Sequence, residues 1–574
     1  MYHFSHSDLY STHFEQPISE QIWRAKYQDK KDGRIIDFSV EDTWARVAKA
    51  LVSQEVEASK TEQEARFTSA MRDFKLLPAG RILVGAGSQK SVTLSNTFVM
   101  KTLPDSLEGI MDVVKEAALT MKMGGGLGFD FSTLRPKGFN VDGLDCPAAG
   151  PLAAMDICDA VCRMLVSGMG RGAMMGTLRD DHPDIEAFIV AKADPARMRN
   201  FNLSVMVSDA FMQAVAKGQN WALRWNGKVV RTIDACALWT KIMEQNYKAA
   251  EPGVLFIDRI NARNPLNYSE TISATNSCAE QPLPPNGTCP LASINLARLV
   301  KAPFGSGSTL DPDALQELVE TAVRMLDNTL DVSDFATPDQ MHEAQSKRRV
   351  GVGVTGVADA LIMLGIKYGS AASVAQIDTW MRLIQNAAYR ASALLAKERG
   401  TFPAFDKVRH LQSASVKALD PAVRALVAQY GLRNGALTTI APTGTTSMFG
   451  GNVSSGIEPV FSTSYRRKIT LPDGTKTEEL VEDYAVYLYR KLHGDDAPLT
   501  DAFVTVAELS PADHLRIQAA AQKWIDSGIS KTVNCPEDIS FDDFQNIYKE
   551  AYLMGCKGCT TYRPNDITGS VLVA

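Results

Sequence analysis

Apolar positions three and four apart along Asp42–Val52 (Trp44, Val47, Ala48 and Leu51) predict an amphipathic helix. The charged, helix-forming composition of residues 1 to about 76 extends that reading to a helical N-terminal region. From about 77 to 563 the pattern changes. Short β-rich runs such as Asn202–Val207 and Ala436–Ala441 alternate with amphipathic helical stretches, which predicts an α/β architecture with largely parallel strands. One helix is expected to start at Asp105, with that acid as N-cap, Glu108 three positions on, and Leu107, Ile110, Met111, Val114 and Ala118 along one face. Another is expected from Ser540 to Gly555, leading into a buried strand over Cys556–Arg563. Residues Lys468–Glu478, around Pro472-Asp473-Gly474, read as a turn between two strands.

Composition narrows the class. The 574 residues are 45% hydrophobic and 22% charged, ordinary for a folded protein and long enough for one large barrel plus a helical region. A formal charge of −6 and a pI near 5.9 argue against a nucleic-acid-coating surface and leave a small molecule as the expected substrate. Nine irregularly spaced cysteines do not make a secreted disulfide framework and fit a reducing cytoplasm. The first residues lack a basic stretch followed by an apolar core, and no apolar run reaches the ~20 residues that span a bilayer. Neither export nor membrane insertion is expected.

The densest chemistry lies in Asn276-Ser277-Cys278-Ala279-Glu280, followed by Gln281-Pro282-Leu283-Pro284-Pro285 and by Cys289. The prolines forbid a helix and hold the backbone extended. Alternation along an extended segment then points Asn276, Cys278 and Glu280 to one side. An arbitrary free cysteine is more often a small buried hydrophobe, but polar neighbours two positions away on both sides count against that here. Elsewhere, Gly351-Val352-Gly353-Val354-Thr355-Gly356 formally fits G-x-G-x-x-G, yet the acid that should close a dinucleotide site is missing, because Asp378 falls inside the helical stretch Ala375–Arg399.

The stretch Asn276–Pro285 with Cys289–Leu296 resembles the finger loop of ribonucleotide reductases. Leu77-Pro78-Ala79-Gly80-Arg81, Gly124-Gly125-Gly126 with Gly128–Ser132, Arg135-Pro136-Lys137-Gly138 and Gly558–Arg563 are similar to the adenosylcobalamin-dependent, class II branch. The resemblance runs from about Ile22 to the C-terminus. It implies a ten-stranded α/β barrel over 77–574, built of two five-stranded halves with the Cys278 loop through its centre, behind the helical region 1–76. It implies that Cys278 becomes a thiyl radical that takes the 3′-hydrogen of a ribonucleoside di- or triphosphate. Glu280 would accept the 3′-hydroxyl proton, Asn276 would hold a ribose hydroxyl, and Cys289 would be one member of the reducing dithiol. Substrate contacts are implied at Asn96, Gly126 and the loop Pro442-Thr443-Gly444-Thr445-Thr446-Ser447. A deoxynucleoside triphosphate effector is implied at Asp105 and Arg135, with Arg171 on the glycine-rich loop Ser167–Met175, in a homodimer. The D-x-H-x-x-G signature of histidine-ligated cobalamin proteins starts at Asp180-Asp181-His182 and fails at the glycine, so adenosylcobalamin is expected base-on, with no protein ligand to cobalt and no other metal.

One departure is serious. The partner of Cys289 in the dithiol should lie in a segment like Ser-Asn-Cys-Phe-Val, and this chain reads Ser95-Asn96-Thr97-Phe98-Val99. Threonine can neither form a disulfide nor supply an electron. Three explanations are open: a variant with the cysteine removed, another reductant such as formate, or a product other than a simple deoxynucleotide. Cys556-Lys557-Gly558-Cys559 could supply a dithiol, but reads better as part of the last barrel strand. No cysteine-bearing tail follows Tyr562-Arg563-Pro564, so an external reductant such as a thioredoxin-like protein, or a separate chain carrying the tail, is expected. The alternative to a reductase is a nucleotide-binding paralogue that keeps the fold without turnover.

Overall fold

In the N-terminal region, Ser39 and Asp42 form a reciprocal capping box that starts α1 (Val40–Leu51), and α2 (Glu57–Met71) follows. The apolar stripe of α1, Trp44, Val47, Ala48 and Leu51, is fully buried, as its spacing predicts. It packs in one core with Phe67 and Met71 of α2 and with Leu315, Val319 and Leu326 from a long helix described below. The architecture comes from a computed structural model that describes residues 14–141, 143, 146–169, 172–194, 196–470 and 476–564.

The strands that frame the site are β1 (Leu76–Pro78), β2 (Thr97–Val99), β3 (Gly126–Asp130), β4 (Met174–Arg179), β5 (Phe201–Val207), β6 (Gly253–Phe256), β7 (Ala274–Thr275), β8 (Pro282–Leu283), β9 (Leu291–Asn295), β10 (Gly351–Thr355), β11 (Ser464–Thr470), β12 (Lys476–Glu482), β13 (Thr532–Asn534) and β14 (Gly558–Tyr562). The main helices between them are α3 (Leu107–Lys122), α4 (Pro151–Met169), α5 (Pro312–Val332), α6 (Ala371–Arg399), α7 (Gly444–Phe449) and α8 (Phe541–Leu553).

A seven-stranded sheet runs in the order β13-β14-β6-β5-β4-β3-β2. Its strands β2 to β6 are parallel, β14 is antiparallel to β6, and β13 is parallel to β14. A three-stranded sheet, β10-β9-β1, pairs β9 parallel to β10 and antiparallel to β1. The expected α/β alternation is therefore present, but the continuous ladders stop at seven and three strands and do not close a ten-stranded ring. The run Ala436–Ala441, expected as a strand, contributes only single parallel bridges, Val352 to Thr438 and Ile440 to Ile529. One reason is local: the Asp526 carboxylate, rather than a neighbouring strand, takes the Leu437 N–H at 2.9 Å.

Other sequence expectations meet the structure with mixed outcomes. Helix α3 is capped by Ser106, whose hydroxyl accepts from Gly109 N, and not by Asp105, which is committed to Arg135 instead. Ser540 does cap α8, which runs to Leu553 and leads to β14. Strands β11 and β12 pair antiparallel, while Pro472-Asp473-Gly474 lies outside the described residues. Gly351–Thr355 is the buried strand β10. Among the described residues, no helix is long and apolar enough to cross a membrane.

Candidate active site

The finger is a short hairpin. β7 pairs antiparallel with β8, and its tip, residues 276–281, closes through Ala279 N to Asn276 O (3.1 Å) and Gln281 N to the Asn276 side-chain oxygen (2.9 Å). β7 lies against β2, β3 and β4. The approach is close enough that a Cβ on Gly128 would stand 1.9 Å from the Thr275 carbonyl oxygen, which only glycine avoids. On the other side, the Glu280 carbonyl accepts from Thr439 Oγ1 (2.7 Å) and Gly528 N (2.8 Å).

Cys278 and Glu280 differ in what surrounds them. Cys278 is exposed and lines a partly open cavity of about 870 Å³. Burial among protein atoms, together with the nearby Glu280 carboxylate, pushes its thiol up to about 12. It therefore stays S–H at neutral pH, the form suited to donating a hydrogen atom rather than to acting as a thiolate nucleophile. Glu280 is 3% exposed; burial pushes its carboxyl up to about 7, with a hydrogen bond from Asn276 pulling the other way. Its Oε2 is buried with no partner, an acceptor waiting for a donor. A carboxylate that titrates near neutrality suits a general base.

Not every expected site residue reaches the cavity. Cys278, Gly444 and Ser447 line it together, with Asn202 and Ser204 of β5. Asn276 and Glu280 sit on the buried side of the finger tip. Gly126 lies beside the finger, its would-be Cβ 3.5 Å from Ser277 Oγ, and its N–H donates to Asn96 O at 2.8 Å. Thr443 does not face the cavity: its hydroxyl is spent on Thr355 Oγ1 (2.9 Å) and Gly456 N (2.8 Å). Thr446 bonds back to Thr443 O at 3.2 Å, Pro442 is partly buried on the same turn, and Thr445 is exposed.

Cys289 is 1% exposed, and burial raises its thiol well above the ordinary range. Thr97 is its direct neighbour: Thr97 Oγ1 donates to Cys289 O at 3.1 Å, and Thr288 Oγ1 donates to Thr97 O at 2.7 Å. Asp105 and Arg135 do meet, with Arg135 N and Nε donating to the two carboxylate oxygens at 2.9 and 2.8 Å, away from the cavity. Arg171 lies outside the described residues. His182 is fully buried with both ring nitrogens used, Nε2 on Leu134 O and Nδ1 on Asp184 N, each at 3.0 Å. Cys556 and Cys559 are buried free thiols, and burial raises both.

The sequence reading missed the charged groups on the cavity wall, Glu251, Glu458, Asp483, Lys531 and Lys557. Lys531 is buried between Glu458 Oε2 (2.5 Å) and His514 Nδ1 (2.7 Å). Nothing in local spacing marks Glu458 or Lys531. Lys557 lies inside the C-x-x-C, a pattern whose chemical signal is carried by its thiols.

Comparison with known proteins agrees with this geometry. The family model described as ribonucleotide reductase, barrel domain, matches residues 95–562, and the one described as ribonucleotide reductase, all-alpha domain, matches 13–91. A vitamin B12-dependent ribonucleoside-diphosphate reductase of Mycobacterium tuberculosis (strain CDC 1551 / Oshkosh) is 36% identical over 92% of this chain and 76% of its own length. A protein of the same name from Thermoplasma acidophilum is 34% identical over 97% of this chain and 72% of its own. The vitamin B12-dependent ribonucleotide reductase of Streptomyces coelicolor is 28% identical, over 85% and 58% respectively. With most of its length matched in both ways, this chain belongs to the ribonucleotide reductase family.

Proposed function

We propose that the chain reduces ribonucleoside diphosphates to 2′-deoxyribonucleotides by a thiyl mechanism started with a cobalamin cofactor. The observation that carries this reading is the finger itself: a protonated Cys278 thiol facing a large, partly open cavity, two residues from a carboxylate that titrates near 7 and has one unpartnered oxygen. The substrate and cofactor follow the names of the relatives. The intact finger leaves the paralogue without turnover with no observation in its favour.

The donor set fits a cobalamin that brings its own base. Among the described residues no histidine lines the cavity, and His182 has no free nitrogen. Leu255, Val453, Val460 and Phe461 form an apolar part of the wall that would hold its organic portion. When bound, adenosylcobalamin supplies the one-electron oxidant by homolysis of its cobalt–carbon bond. The chain's residues then do the rest. Cys278, having lost its hydrogen atom, takes the 3′-hydrogen of the ribose; Glu280 accepts the 3′-hydroxyl proton as the 2′-oxygen leaves as water; Asn276 orients the diol. Gly444 and Ser447 are the loop positions placed to meet phosphate, with Asn96 and Gly126 beside the finger.

Two electrons must then reach the substrate radical. With Thr97 beside Cys289, no internal dithiol can supply them by closing to a disulfide, so the reading includes an external thiol reductant, thioredoxin-like or carried on a separate chain. We read the single bridges at Val352–Thr438, Ile440–Ile529 and Phe98–Thr288 as the seams of a ten-stranded barrel beginning near residue 77, and the Asp105–Arg135 pair as an effector anchor. Leu107, Met111 and Leu119 on α3 and Ile157 on α4 are exposed apolar positions fit for the same face of a second copy. A cytoplasmic setting suits its reduced cysteines.

Anaerobic incubation with adenosylcobalamin in tritiated water tests the reading. Tritium should enter the cofactor with the parent chain, and Thr97→Cys should raise deoxynucleotide output with dithiothreitol severalfold. Absence of exchange would overturn the thiyl reading, and equal output would overturn the role given to position 97.

A further inference from the structure

The finger tip rests on the segment 525–528, which Thr438 holds on one side, through Ser527 N to Thr438 O (3.0 Å) and Asp526 N to Thr438 Oγ1 (2.9 Å), and one buried lysine holds on the other. Gly528 N donates to Glu280 O, and the two backbones are so close that a Cβ on Gly528 would stand 2.5 Å from Ala279 O. Thr439 Oγ1 ties the contact from the side, donating to Glu280 O at 2.7 Å and Gly528 O at 3.2 Å. Just before Gly528, three consecutive carbonyls converge on the Lys557 ammonium: Asp526 O at 2.5 Å, Ser527 O at 2.8 Å and Ile525 O at 3.5 Å. Lys557 is 3% exposed.

Among the described residues, the neighbouring polar groups are otherwise engaged or too distant to replace it. The Asp526 carboxylate is occupied by Leu437 N and Tyr389 OH, both at 2.9 Å. Gln522 Nε2 reaches Ile525 O and Ser527 O only at 3.5 and 3.4 Å. Carbonyl dipoles aimed at one point repel each other, and the Lys557 amino group among them donates hydrogen bonds that offset that repulsion, charge-assisted when it is protonated; burial pulls the group down to about 7. Removing it would leave buried carbonyls short of a donor directly behind the finger.

We propose that Lys557 is a positioning residue for the finger: by gathering the carbonyls of residues 525–527 it fixes Gly528, which holds Glu280 and, through the tight tip, Cys278. The motif Cys556-Lys557-Gly558-Cys559 thus matters for the lysine between its thiols. The inference rests on the catalytic reading of Cys278 and Glu280, but its first test needs no turnover.

In the full-length, cofactor-free chain, the rate of Cys278 alkylation by iodoacetamide is compared with that of Cys146, which is exposed and serves as the internal standard. Lys557→Met keeps the length of the stem and removes the donors; Lys557→Arg keeps the charge. In Lys557→Met, Cys278 should alkylate severalfold faster with Cys146 unchanged, and kcat should fall by about 10²-fold with KM little altered, the cost expected of a small misplacement. Lys557→Arg should recover part of both. An unchanged Cys278 to Cys146 ratio in Lys557→Met overturns the proposal. So does a joint acceleration of both cysteines with a lowered melting temperature, which would mean general loosening.

Discussion

A thiol that keeps its proton up to about 12 and a carboxyl that titrates at about 7 stand two residues apart, and burial is the first cause of both shifts. In the proposed mechanism the pairing would divide the work, with Cys278 exchanging a hydrogen atom and Glu280 a proton. The Glu280 shift also sets a pH dependence. Its carboxyl lies at about 7 in the folded chain against 4.5 ordinarily, so the folded state holds this proton more tightly than the unfolded state does. Its contribution to stability is complete below pH 4.5 and is lost as pH rises through 7. Glu280→Gln cannot ionise. Denaturant unfolding should show it gaining on the parent chain between pH 5 and pH 8, by up to about 3 kcal/mol, while turnover disappears. An unchanged difference across that range would show that Glu280 is not held protonated by burial.

At the finger, the prolines and the cluster of thiol, amide and carboxylate made a chemically loaded loop legible, because those signals are local. The one-sided alternation of Asn276, Cys278 and Glu280 does not form: the tip is a turn, with Ala279 at φ 65°, that faces Cys278 to the cavity and buries Asn276 and Glu280. What the loop leans on was not legible. Gly128 carries no sign that Thr275 O lies where its Cβ would be, since that contact joins positions far apart in the chain. Gly128→Ala should displace the hairpin, cost roughly 1–3 kcal/mol in denaturant unfolding and lower activity more than that loss explains. Full activity at parental stability would mean that the hairpin is not pressed against β3. Asp105 misled for a related reason: an acid near a helix start reads as a cap, and here Ser106 caps while Asp105 binds Arg135 across 30 positions. The run Ala436–Ala441 has strand-like composition, but side chains such as Asp526 and Thr439 take part in its hydrogen bonding and in holding the finger. Composition cannot report that use.

At the scale of the whole molecule, the helical N-terminal region is fastened to the α/β body by charge as well as by apolar packing. Glu55, just beyond α1, pairs with Arg324 of α5 at 2.5 Å and Arg399 of α6 at 2.6 Å, and accepts from Asn328 at 2.8 Å. These partners hold its carboxyl down at about 2 despite burial. The next shell repeats the theme, with Asp327 of α5 bound to Arg348 at 2.8 Å and to Asn434 at 2.9 Å. Such a frame ties the helices of the N-terminal region to those of the α/β body that carries the finger. The general α/β plan and the catalytic loop were legible from local pattern and motif; the clamp was not, because its charges come from helices distant in sequence. The account stands on the Cys278 sulfur, and the most direct measurement is freeze-quench electron paramagnetic resonance of the enzyme mixed with adenosylcobalamin and substrate, in chains grown with β-deuterated cysteine. The account predicts a radical signal whose line shape changes on deuteration and which is absent from Cys278→Ser. A signal indifferent to deuteration, or one that persists in Cys278→Ser, would contradict it.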